Sequence, residues 1–125
     1  MTENDISYVI RGCIFDIYVA TGPGLLESAY EAMLCYELSK KGLDVQCQVP
    51  LPLVYKEIRL EAGYRIDLLI NNRVIVEIKS VENLTEAHHK QLITYLKLSG
   101  KKLGLLVNFN TDDIVKSIFR KANNL

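Results

Sequence analysis

The chain lacks an excess of charge of either sign. Among its 125 residues, 15 lysines and arginines face 15 aspartates and glutamates, a formal net charge of zero. Domains that hold nucleic acid by bulk electrostatics carry a basic excess, so any such binding here must come from a local patch, a metal ion or a partner. Paired cysteines are lacking too: Cys13, Cys35 and Cys47 are odd in number, form no Cys-x-x-Cys unit and sit among apolar neighbours. They read as small buried thiols of a reduced, cytoplasmic protein. No apolar run approaches the ~20 residues of a membrane span. The first residues, Met1 to Asp5, have neither the basic start nor the apolar stretch of a signal peptide. There is no low-complexity segment, internal repeat, linker, glycine-rich phosphate loop or nucleophile elbow. What remains is a chain with 49% hydrophobic residues, expected to form one domain over residues 1–125 with a core of its own and no membrane partner.

Apolar residues at helical spacing (Ile6, Val9, Ile10, Cys13, Ile14, Ile17) predict an amphipathic helix from Asp5 to Ala20. Thr21-Gly22-Pro23-Gly24 breaks it. A second helix is expected from Leu25 to Lys41, ended by Gly42 in a left-handed cap. Val45 to Tyr55 reads as extended, with Pro50 and Pro52 marking an edge or irregular strand. Tyr64–Ile70 and Val74–Ser80 read as strands joined by Asn71, Asn72 and Arg73. Asn83 and Glu86 have the spacing of a helix start, and that helix should run to Leu98 before Gly100. Leu103–Phe109 reads as a strand buried on both faces. Thr111-Asp112-Asp113 is placed to cap a final helix with Ile114, Val115, Ile118 and Phe119 inward. The first helix also offers an apolar face on which a homodimer could form.

The hairpin carries the chemistry. Alternation sets Tyr64, Ile66, Leu68 and Ile70 on one face of its first strand, and Val74, Val76 and Ile78 match them on the second. A three-residue connection pairs Ile70 with Val74 and therefore sets Asp67 opposite Glu77 and Arg65 opposite Lys79. A two-residue turn would instead bring apolar residues against the polar row. Carboxylates directly across a ladder repel, and a hard divalent cation is a natural counterweight. The plainer alternative is a solvated face with Asp67 bridged to Arg65 and Glu77 to Lys79. The flanking Leu69 and Ile75 favour a covered cleft.

Asp67 followed after a turn by Glu77-Ile78-Lys79 resembles the D…ExK signature of the PD-(D/E)XK nuclease superfamily, with Ile66 where the signature carries proline. Gly24-Leu25-Leu26-Glu27-Ser28-Ala29-Tyr30 is similar to the motif of the GxxExxY family. That resemblance spans nearly the whole chain. It implies an α/β (α+β) fold with an αβββαβ core, a four-stranded mixed sheet flanked by helices, an extra N-terminal helix and a C-terminal one. It further implies a Mg²⁺- or Mn²⁺-dependent nuclease acting on DNA or RNA. Asp67, Glu77 and the backbone carbonyl of Ile78 would hold the metal, Lys79 would orient or deprotonate the attacking water, and Glu27 would complete the site. Gln91 and Tyr95 resemble a QxxxY motif whose helix contacts nucleic acid. Each has a blander alternative: Glu27 as a favourable charge in a first helical turn, and Tyr95 as a core residue with Gln91 at its rim. Tyr30 is expected to pack, with its hydroxyl tied to a partner. His88 and His89 point in different directions and cannot share one ion. Lys101 and Lys102 could touch phosphate, but read more simply as a solvated helix end. The contrasting function is a catalytically silent nuclease-like fold serving as a nucleic-acid-binding or assembly module.

Overall fold

The computed structural model describes residues 1–125. Helix α1 spans Glu3–Thr21 and opens with a reciprocal cap. The Asp5 N–H donates to Thr2 Oγ1 at 3.1 Å and the Thr2 N–H to Asp5 Oδ2 at 2.9 Å, satisfying donors a helix start otherwise leaves free. Helix α2 spans Glu27–Lys40. Gly42, with φ of 85°, turns the chain out of it, and the Leu43 N–H closes back on the Leu38 carbonyl at 3.2 Å. Strands β1 (Val45–Pro50), β2 (Leu53–Tyr55), β3 (Ile58–Leu60), β4 (Arg65–Ile70) and β5 (Val74–Lys79) follow, then α3 (Glu86–Ser99), β6 (Leu103–Asn108) and β7 (Ile118–Ala122).

The main sheet has the order β1-β4-β5-β6-β7, with β2 and β3 forming a separate pair. Only β5 and β6 run parallel, joined across the sheet by α3. The hairpin register is the one the apolar alternation requires: Leu68 pairs with Val76, Leu69 with Ile75 and Ile70 with Val74. Asn71 and Asn72 take φ of 52° and 55° in the connection, and the Arg73 N–H donates to the Ile70 carbonyl at 2.9 Å. Asparagine tolerates that left-handed backbone better than most residues.

Two apolar layers cover the sheet. Ile6, Ile10, Ile14, Leu34 and Leu38 of the first two helices pack on Leu68, Ile70, Val74, Val76 and Ile78. Leu92, Tyr95 and Leu96 of α3 pack on Leu69, Ile75 and Leu106. Ile66 departs from the expected alternation and joins the α3 side, because β4 no longer follows the regular ladder there. The apolar stripe of α1 is consumed by this core, so the fold gives no support to a homodimer through it. No helix is long and apolar enough to cross a membrane.

Three expectations need correction. The final helix does not form: a single 3-10 turn at Val115–Ser117 leads into β7, giving five strands instead of four in the sheet. The i, i+3, i+4 spacing of Ile114, Val115, Ile118 and Phe119 suits a helix, but β6 is buried along its length and its outer backbone groups need partners. Pairing of Leu103–Val107 with Ala122–Ile118 supplies them. Helix α3 is capped by Thr85 and not Asn83; the Thr85 N–H donates to His88 Nδ1 at 3.1 Å. Val45–Tyr55 is extended and supplies the edge strand β1, as expected, but it is split into two strands of different sheets. Pro50 and Pro52 end β1, and the following residues fold back as β2 and β3 through Lys56 at φ of 53°.

Candidate active site

Past Leu68 and Val76 the β4–β5 ladder gives way to bonds between side chains and backbone. The Asp67 N–H donates to Glu77 Oε2 at 2.8 Å, and the Ile78 N–H donates to Asp67 Oδ2 at 2.8 Å. Each carboxylate therefore takes the backbone donor of the opposite strand, and the two are locked side by side. Asp67 Oδ1 and Glu77 Oε1 stay out of these backbone bonds. Glu77 is only 3% exposed. Burial, followed by the neighbouring charge of Asp67, pushes its pKa up to about 8. Burial also raises Asp67, against the opposing pull of the Ile78 N–H.

The ion pairs that would make this a plain strand face do not form. Salt bridges join Arg59 to Glu61, Arg73 to Glu3 and Lys116 to Asp113, none of them at the site. Lys79 has no carboxylate partner. Its Nζ donates to Gln91 Oε1 at 3.4 Å, and Gln91 Nε2 donates to the Tyr95 hydroxyl at 3.2 Å. Helix α3 thus brings Gln91 and Tyr95 beside Lys79. Tyr95 is also a core residue, 4% exposed, so its packing role and its place at the site coexist.

Glu27 reaches the end of β5 from the other side. As the first residue of α2 it accepts the Ser80 N–H at 3.2 Å, while Ser80 Oγ donates to the Leu25 carbonyl at 2.7 Å. The preceding loop is closed by Tyr30, whose hydroxyl donates to the Gly22 carbonyl at 2.6 Å and accepts the Leu25 N–H at 3.2 Å. Its ring stacks on Phe109 with centroids 4.1 Å apart. A cavity of about 520 Å³, lined by Leu25, Glu27 and Ser80, opens beside this corner. Glu27, Asp67 and Glu77 do not converge into a closed three-ligand cluster; the tight unit is the Asp67–Glu77 pair.

A model of the PD-(D/E)XK nuclease superfamily matches residues 4–121. The chain belongs to the PD-(D/E)XK nuclease superfamily. No curated protein and no solved structure matches it. The mixed sheet flanked by helices is consistent with the PD-(D/E)XK fold; Asp67 lies on β4, and Glu77 and Lys79 lie on β5.

Other residues of this PD-(D/E)XK chain went unnoticed in the sequence. Gln48 of β1 donates through Nε2 to Glu31 Oε1 at 3.0 Å and lies 3.4 Å from Asp67 Oδ1. Asn108, 6% exposed, brackets Val81: its Nδ2 donates to the Val81 carbonyl at 2.9 Å and its Oδ1 accepts the Val81 N–H at 3.1 Å. That clamp fixes the chain leaving Lys79 and Ser80. A polar residue at the end of the apolar run Leu103–Val107 was the available signal for Asn108. His88 caps α3, and His89 lies edge-on to Phe119 at 4.9 Å, so neither takes part.

Proposed function

We propose that this PD-(D/E)XK protein is a Mg²⁺- or Mn²⁺-dependent nuclease that hydrolyses phosphodiester bonds of DNA or RNA, and that it belongs to the GxxExxY branch. The observation that carries this is the Asp67–Glu77 pair, with Glu77 buried and Asp67 half-buried beside it. Two neighbouring carboxylates, each tied to the other's strand and largely withdrawn from water, raise each other's ionisation cost. A fold with no use for a cation would gain stability by replacing them. The donor set fits a hard divalent ion: Asp67 Oδ1 and Glu77 Oε1 are oxygens without a backbone donor, and the Ile78 carbonyl adjoins them in sequence. When bound, such an ion lowers the pKa of water and acts as a Lewis acid on a phosphoryl oxygen.

The chain's own residues supply the rest. Lys79, unpaired by any carboxylate and aimed by Gln91, presents a compact positive charge for the phosphate and can hold or move a proton of the attacking water. Tyr95 fixes the Gln91 amide so that its oxygen faces Lys79. Glu27, anchored on Ser80, adds a carboxylate at the rim to orient water. Gln91 can also meet a base or phosphate as the strand enters.

The test is hydrolysis of single- and double-stranded DNA and RNA with Mg²⁺ or Mn²⁺ against a chelator control. Cleavage that stops with chelator and in Asp67→Ala and Glu77→Ala is the expected result. Cleavage that survives in those variants, or none from the wild-type protein on any substrate, sinks the catalytic assignment. A silent binding module would then be the better account of a chain without net charge.

A further inference from the structure

Gln48 stands across from Asp67 and is where the β1–β4 ladder is interrupted. Cys47 pairs with Leu68 and Val49 with Ile66, but Gln48 is left out between them. Its φ of 51° lies in the left-handed region, which is unfavourable for a residue with a Cβ and unusual inside a strand. Strain of this kind persists where the surroundings over-determine it, and it gathers at functional sites. Here the surroundings are polar. Gln48 Nε2 donates to Glu31 Oε1 at 3.0 Å and Oε2 at 3.2 Å, and lies 3.4 Å from Asp67 Oδ1. Its carbonyl accepts from Arg65 Nη1 at 3.4 Å.

We propose that Gln48 is a positioning residue for the metal-binding carboxylates, turned out of the ladder so that its amide holds Asp67 Oδ1 in place and keeps Glu31 beside the site. The inference rests on the metal reading above. An amide suits the task because it carries two N–H donors on one nitrogen and no charge. It can restrain two carboxylates without neutralising either, whereas lysine or arginine there would compete with the cation.

The experiment is Mn²⁺ titration by calorimetry, with melting temperatures, on the wild-type protein, Gln48→Leu and Gln48→Gly. Leucine keeps the bulk and the backbone strain; glycine relieves the strain. Both variants lack the amide, so both should bind Mn²⁺ about tenfold more weakly, the usual loss when a partner of a metal ligand is removed. The glycine variant should nevertheless melt above the leucine variant. If the wild-type protein binds Mn²⁺ and either variant binds it equally well, Gln48 is only a tie between α2 and β1 and the inference falls alone. A wild-type protein that binds no Mn²⁺ overturns the metal reading and takes the inference with it.

Discussion

Glu77 is the residue on which the proposed chemistry turns, and its ionisation has a measurable sign. The group ionises near 4.5 when free and at about 8 in the fold. Between those values the folded chain keeps a proton that the unfolded chain has released, so stability declines as pH rises from 4.5 through about 8. Asp67, also raised by burial, acts in the same direction. Metal-free Glu77→Gln should show a flatter melting temperature across that window and melt above the wild-type protein at its alkaline end. Equal pH profiles for the two would show that Glu77 is not held in a desolvated pair. Lys79 makes a complementary case, since it has no ion pair to lose. Lys79→Met should cut hydrolysis by about 10²–10⁴-fold, the span of a lost proton-transfer group, while leaving Mn²⁺ affinity undiminished. Weakened Mn²⁺ binding would instead point to a structural role.

At the scale of elements, the packing of α3 on β6 depends on one position without a side chain. A Cβ at Gly104 would come within 2.7 Å of Leu92 Cδ1, with Leu92 Cγ at 3.2 Å. Leu92 is fully buried and has little room to withdraw. Gly104→Ala should therefore cost about 1–3 kcal/mol in denaturant unfolding, the range for overpacking a core. Combining it with Leu92→Ala should cost less than the sum of the two single changes, because they share one space. Strict additivity would mean that α3 does not bear on β6 at that point.

The same scale shows what could be read in the sequence. The hairpin was legible because Leu68, Ile70, Val74 and Val76 alternate cleanly, and a buried face tolerates one register. Helices α1 and α2 were legible from their apolar spacing and from Gly42. Strand β7 was not, because Ile114 to Phe119 satisfies a helical period while the demand of β6 for a partner is written in the three-dimensional sheet alone. The β2–β3 pair was hidden for a related reason: three-residue strands carry too little pattern to register. At the candidate site, the nearness of Asp67 to Glu77 was legible from the apolar alternation. The position of Gln48 depends on a break in pairing that no periodicity encodes.

For the whole molecule, one sheet carries both apolar layers, and the candidate site lies where β4 and β5 part between α2 and α3. Residues 1–125 are accordingly proposed to act as one domain. Under the proposed function, zero net charge would place the burden of substrate binding on this local corner and a bound cation instead of on a broad basic surface. The most direct test is a crystal of the wild-type protein soaked in Mn²⁺ and read by anomalous scattering. The account predicts a peak bonded to Asp67 and Glu77, beside the Ile78 carbonyl and within reach of water oriented by Lys79. Saturating Mn²⁺ with no peak at that pair, or with ions held only elsewhere on the chain, would contradict it.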